Sequence, residues 1–176
     1  MKYIVYAAVG VAAFAFLFMS DSKPKTDLTQ VLNRSVVAMD KYDRYLKANN
    51  VAKATDEHLL QLNGILQEEL NKAPPLREGL IATSLGKDAK FTGVADDNRN
   101  AKADPDEKTI FTLELDSQNQ RLIATDPSGT GTSRGFSGMG FIAGALIGSM
   151  LGRQRAAGIA PGSFSNRKLA SPAAYN

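Results

Sequence analysis

The chain has 176 residues, with 21 Lys and Arg against 18 Asp and Glu for a formal net charge of +3, no cysteine and a single histidine. Disulfides, thiolate metal sites and cysteine nucleophiles are excluded, and a histidine-based triad or multi-histidine metal site has little material. The length suits one modest domain with appendages. All 18 acidic side chains fall within 20–135, whereas Arg153, Arg155, Arg167 and Lys168 form a tail without an acid, so the basic balance comes from the tail and nucleic acid is not an expected partner.

In chain order, Tyr3–Met19 (YIVYAAVGVAAFAFLFM) comes first, 17 residues without a charge behind Lys2. As a helix it extends about 25 Å, close to the roughly 30 Å of a bilayer's hydrocarbon. It is longer than a usual signal-peptide core and lacks a good small-x-small site, so residues 1–20 are expected to be an uncleaved transmembrane anchor.

The region 21–126 is expected to be a helical hairpin with a small β-hairpin. Leu28, Val31, Leu32, Val36, Met39, Tyr42 and Leu46 recur at helical steps across Asp27–Asn49, with Thr26 or Asp27 as cap. Leu59, Leu62, Leu66 and Leu70 mark a second helix over Asp56–Ala73, capped by Thr55 and ended by Pro74-Pro75. A shorter third helix is expected within Leu76–Leu85. Lys108–Leu115 alternates Ile110, Thr112 and Glu114 against Phe111, Leu113 and Leu115. With the turn Asp116–Gln120 and the run Arg121–Thr125, it reads as a β-hairpin.

Between helices and hairpin, Asp96, Asn98, Asn100, Asp104 and Glu107 occupy positions 1, 3, 5, 9 and 12 of an EF-hand-like loop. Calcium takes six to eight hard oxygen ligands, and this spacing wraps carboxylates and amides around one point. Ala101 stands where the sharp turn wants glycine, Pro105 stiffens the exit and a strand follows, so a solvated Asx-rich loop explains the same residues. His58 reads as a surface or packed histidine, and the adjacent Glu68 and Glu69 diverge on their helix. No Walker loop, dinucleotide fingerprint, nucleophile elbow or zinc spacing is present, so no enzymatic activity and no cofactor are expected.

Residues 127–135 read as a flexible tether and 136–152 as an apolar helix in which Gly140, Gly144, Gly148 and Gly152 recur every four residues. Each glycine costs a water-exposed helix about 0.5–1 kcal/mol relative to alanine. A bilayer, or close backbone contact along the groove, offsets that cost. This glycine zipper is the expected helix-packing surface. If both apolar segments span, Lys2, Arg153 and Arg155 flank the membrane on the cytoplasmic side and the middle domain is extracytoplasmic. Residues 153–176 read as a disordered basic tail.

From Gly140 onward, GFIAGALIGSMLG followed by PGSFSNRKLASPAAYN resembles the uncharacterised bacterial envelope proteins of the YgiB type, a resemblance that implies an envelope location and nothing catalytic. The fold class expected is therefore mainly α and membrane-anchored, in a bacterial inner membrane or a virion-associated membrane. The function expected is a non-enzymatic structural or assembly subunit, with membrane lipid and further copies of itself, or a larger membrane complex, as partners. A pore-forming or membrane-perturbing protein and an exported soluble binding module with a cleaved signal peptide are the alternatives.

Overall fold

The first helix, α1 (Leu28–Ala48), starts where Asp27 accepts hydrogen bonds from the N–H groups of Thr29 (2.8 Å) and Gln30 (3.4 Å), which satisfies donors that the first turn leaves open. It ends at Asn49, followed by Asn50 in the left-handed region (φ 54°). The second, α2 (Asp56–Leu70), begins at Thr55, whose backbone N–H donates to His58 Nδ1 at 3.0 Å while Asp56 and Glu57 favour the positive end of the helix. The lone histidine is thus part of a helix cap. The structure, a computed structural model, describes residues 26–127, 133–137 and 144–169.

The two helices lie where the leucine spacing puts them, but the fold class is not mainly α. Five antiparallel strands follow in a simple meander: β1 (Leu80–Leu85), β2 (Phe91–Asp96), β3 (Thr109–Asp116), β4 (Arg121–Thr125) and β5 (Ser133–Ser137). The segment expected to hold a third short helix contains β1 instead. Pro74-Pro75 and Gly79 (φ 81°) break helical continuity before it, and Ile81 and Thr83 suit a pleated surface. The expected tether and the start of the expected glycine helix contain β5, which pairs Phe136 with Leu122 and Gly135 with Ile123.

Alternation along the strands gives the sheet two unlike faces. One face, with Ile81, Phe91, Phe111, Leu113, Leu115, Leu122 and Ala124, joins Leu59, Leu62, Leu66 and Leu70 of α2 and Val31, Leu32, Met39 and Leu46 of α1 in a single core. At Gly93 the ring of Phe111 lies so close that a Cβ there would overlap it, and the pairing of β2 with β3 shifts just after this residue. Helix α1 crosses β4 and β5, and α2 lies along β1. Helix α3 (Ala145–Ala156) adds Leu146 and Met150 to the same core.

The second sheet face is covered by the chain after α3, so the tail is not disordered through 169. Arg167 pairs with Glu114 and donates to Thr125 Oγ1 at 2.9 Å. Ser165 Oγ donates to Asp116, and the Arg121 guanidinium donates to the carbonyls of Phe164 and Ser165. A Cβ on Gly135 would run into Leu169. Ile123, between Glu114 and Gly135 on this face, is fully buried.

The membrane assignment needs the same correction. Among the described residues no helix is long and apolar enough to cross a membrane. Helix α3 has 12 residues, about 18 Å of axis, and Arg153 and Arg155 lie within it. The described residues thus contain no second span, which corrects the transmembrane reading of 136–152 and the extracytoplasmic placement that depended on two spans, and they lend no support to an inner-membrane or virion-membrane location. The N-terminal segment Tyr3–Met19 and Lys2 lie outside the described residues.

Candidate interaction groove

The residues singled out by spacing have definite places. Asp96, Asn98, Asn100, Asp104 and Glu107 do converge, but on each other's donors. The two oxygens of Asp96 accept the N–H groups of Asn100 (3.1 Å) and Ala101 (3.0 Å). Asn98 and Asn100 turn their amide NH2 groups toward Asp104 Oδ2 (2.9 and 2.7 Å), the opposite of what a cation needs. Those two hydrogen bonds, Asn98's first, hold the Asp104 carboxyl below its usual range. Glu107 accepts from the N–H groups of Asp97 and Asp104. The loop is held together by its own side chains. Among the described residues no three His, Cys, Asp or Glu side chains are grouped to hold a metal.

The glycine series is likewise redistributed. Gly140 lies outside the described residues. Gly144 is the N-cap of α3 at φ 146°, its Cβ position 3.4 Å from a carboxylate oxygen of the buried Asp43. A negative side chain there complements the positive end of α3. Gly148 and Gly152 face open space, with nothing within 4 Å of a Cβ. Within the described chain they pack against no other helix. Arg153, expected at a membrane flank, instead donates to Asp56 (2.8 Å) and to the carbonyl of Gly86 (3.2 Å), tying α3 to the start of α2 and to the β1–β2 turn. Arg155 is exposed.

The feature that spacing did not single out lies on the outer surface of the helical hairpin. A groove of about 490 Å³ runs between α1 and α2, lined by Lys41, Tyr42, Tyr45, Gln61, Gly64, Ile65 and Glu68. Its wall is a stacked pair of rings, Tyr42 and Tyr45, with centroids 5.6 Å apart and planes 14° from parallel. Tyr42 is buried and donates to Gln61 Oε1 at 2.6 Å, whereas Tyr45 is 54% exposed. Burial first, and then the neighbouring Tyr45 and Glu57, push the Tyr42 hydroxyl above its usual pKa. Gly64 meets nothing within 4 Å of a Cβ position, so the floor has a notch there. One turn before Gly64 stands Leu60, 59% exposed, and one turn before Lys41 stands Val37, 53% exposed.

These apolar residues lie off the core stripes of their helices, which is the signal the sequence carried. Val37 and Tyr45 are large apolar or aromatic side chains in α1 that do not belong to its buried apolar and aromatic set, Leu28, Val31, Leu32, Ala38, Met39, Tyr42 and Leu46. Chemically the groove offers aromatic and aliphatic surface with one cation and one carboxylate at its lips. It holds no nucleophile beside a base, and its groups suit contact rather than bond making.

No protein-family model, no curated protein and no solved structure matches the chain.

Proposed function

We propose that this chain is a non-enzymatic structural or assembly subunit, and that the outer α1–α2 face is the surface through which it assembles. The observation that carries the reading is the groove with its exposed margin. Tyr45 stands exposed on the groove wall, and Leu60 and Val37 are exposed one helical turn from its Gly64 and Lys41, while other positions of the same two helices fill the core. Single exposed apolar residues are ordinary, but several of them on the two helices that wall a concave aromatic groove mark a contact surface.

A photo-cross-linking amino acid at position 60 tests this reading in the full chain expressed in cells. Discrete protein adducts are expected from position 60 and from position 37, and none from position 87, an exposed lysine on the β1–β2 turn. Adducts from 60 and 37 no more abundant than those from 87 would overturn the assembly role of this face.

A further inference from the structure

We infer that the occupant of the α1–α2 groove is the same groove on a second copy of this chain, in a two-fold symmetric dimer. The inference rests on the assembly reading above and names its partner.

Its ground is a match in register between the two lips. On α1, Lys41 and Tyr45 are one turn apart; on α2, Glu68 and Gly64 are one turn apart in the opposite chain sense. The helices run antiparallel, since Lys41 reaches Glu69 (3.5 Å) while Arg34, earlier in α1, reaches the later carbonyls of Leu70 and Lys72 (3.1 and 2.6 Å). A two-fold axis along the groove therefore lays α1 of one protomer antiparallel on α2 of its partner. The step from 41 to 45 then coincides with the step from 68 to 64. Lys41 of one copy meets Glu68 of the other at the same time as the Tyr45 ring enters the notch at Gly64, and the symmetry makes both contacts twice.

Of the two charges Glu68 is the open one, and Lys41 is held only by a long contact to Glu69. Glu69 is already satisfied by Lys72 at 2.6 Å, which leaves the 54%-exposed Lys41 side chain at a longer 3.5 Å from it. Among the described residues Glu68 has no ion pair and is exposed. The knob and the hole also correspond, because Tyr45 is exposed at one lip and Gly64 alone on the other lacks the side chain that would block it. An isologous interface needs this kind of self-complementarity, with an aromatic anchor in a pocket and opposite charges facing across the axis.

The chain has no cysteine, so single substitutions report contacts cleanly. Full-length Lys41→Cys and Glu68→Cys proteins, mixed and oxidised, should give a covalent dimer containing one of each, while either protein alone should give none. Gly64→Leu should keep the fold, since the space it fills is empty, and weaken the dimer at least about tenfold by sedimentation. Lys41→Glu should weaken it as well, and Lys41→Glu with Glu68→Lys in one chain should restore it. Cross-linking of the mixture no greater than that of Lys41→Cys with Lys87→Cys would overturn the dimer. If position 60 still gives adducts with other proteins in that case, the assembly reading stands and only the identity of the partner falls. If position 60 gives no adducts, both fall.

Discussion

Arg34 shows how one side chain can close a helix that has no basic residue of its own in the last turn. Its guanidinium, projecting from α1, donates to the carbonyls of Glu69, Leu70, Lys72 and Pro74 at the end of α2 and just beyond. The last carbonyls of a helix have no intrahelical donor and carry its negative end. Arg34→Ala should therefore cost about 1–3 kcal/mol, the scale of charge-assisted hydrogen bonds left unmade. A urea titration of the variant against the native protein measures it, and a midpoint within error of the native one would remove Arg34 from this role. Nothing in the sequence marks residue 34 as the cap of a helix that ends 36 positions later.

At the scale of elements, the informative pairing is between α2 and the free edge of β1. Asn63, Gln67 and Asn71 recur every four residues beside the leucine stripe and point three amides at the strand. Asn71 both donates to the carbonyl of Ile81 (2.7 Å) and accepts from its N–H (2.9 Å). Gln67 accepts from the N–H of Thr83 (2.7 Å), and Asn63 donates to the Thr83 carbonyl (3.0 Å). The helix thereby supplies the hydrogen bonds a sixth strand would have made, and the sheet edge is closed to other chains. Gln67→Leu or Asn71→Leu should destabilise the fold by about 1–3 kcal/mol, because backbone groups lose partners while staying covered. The amide of Thr83 in the first variant, or of Ile81 in the second, should exchange with solvent faster in hydrogen-exchange measurements. Native exchange rates there would mean the ladder is incidental.

Helix α3 makes the opposite point. Gly148 and Gly152 face open space, so alanine at either position meets no steric objection and adds helix propensity. Each substitution should raise stability by about 0.5–1 kcal/mol. A lower melting temperature would reveal that these glycines touch something the described chain does not contain.

For the whole molecule, the decisive arrangement is a sheet enclosed between the helices on one face and the 157–169 segment on the other. The pin is Asp116, buried and bonded to Arg121 Nε at 2.7 Å and to Asn119 Nδ2 at 2.9 Å, with Ser165 on its other oxygen. Burial alone would raise its pKa; the hydrogen bonds from Asn119 and Arg121 outweigh that and hold the carboxyl below its usual range. The sign follows. A carboxylate whose folded pKa is depressed contributes stability above its ordinary pKa near 4, and the contribution is lost as pH falls through the lower folded value. The tail should stay protected from proteolysis at neutral pH and become cleavable only as pH falls from about 4 through the lower folded value. In Asp116→Asn, which removes the charge from Arg121, it should be cleavable already at pH 7. Equal protection of both proteins across that range would release Asp116 from holding the strap.

The sequence by itself determined the local structure. Leucine spacing and capping residues located α1 and α2, and period-two alternation located the β3–β4 hairpin, because these signals depend on neighbours a few residues away. Only the tertiary structure decided what those elements join. The strands β1, β2 and β5 are short, β2 and β5 are interrupted by Gly93 and Gly135, and each is stabilised by partners along the sheet rather than by its own pattern. The glycine series and the apolar run around it looked like one helix, yet Phe136 belongs to a strand and Leu146 and Met150 to the core, since burial against a sheet satisfies the same apolar side chains that a bilayer would. The groove, too, takes shape only when two helices are set side by side. Tyr45, Gly64 and Glu68 acquire a common surface only when the hairpin closes, because their proximity comes from packing across the chain and not from spacing along it.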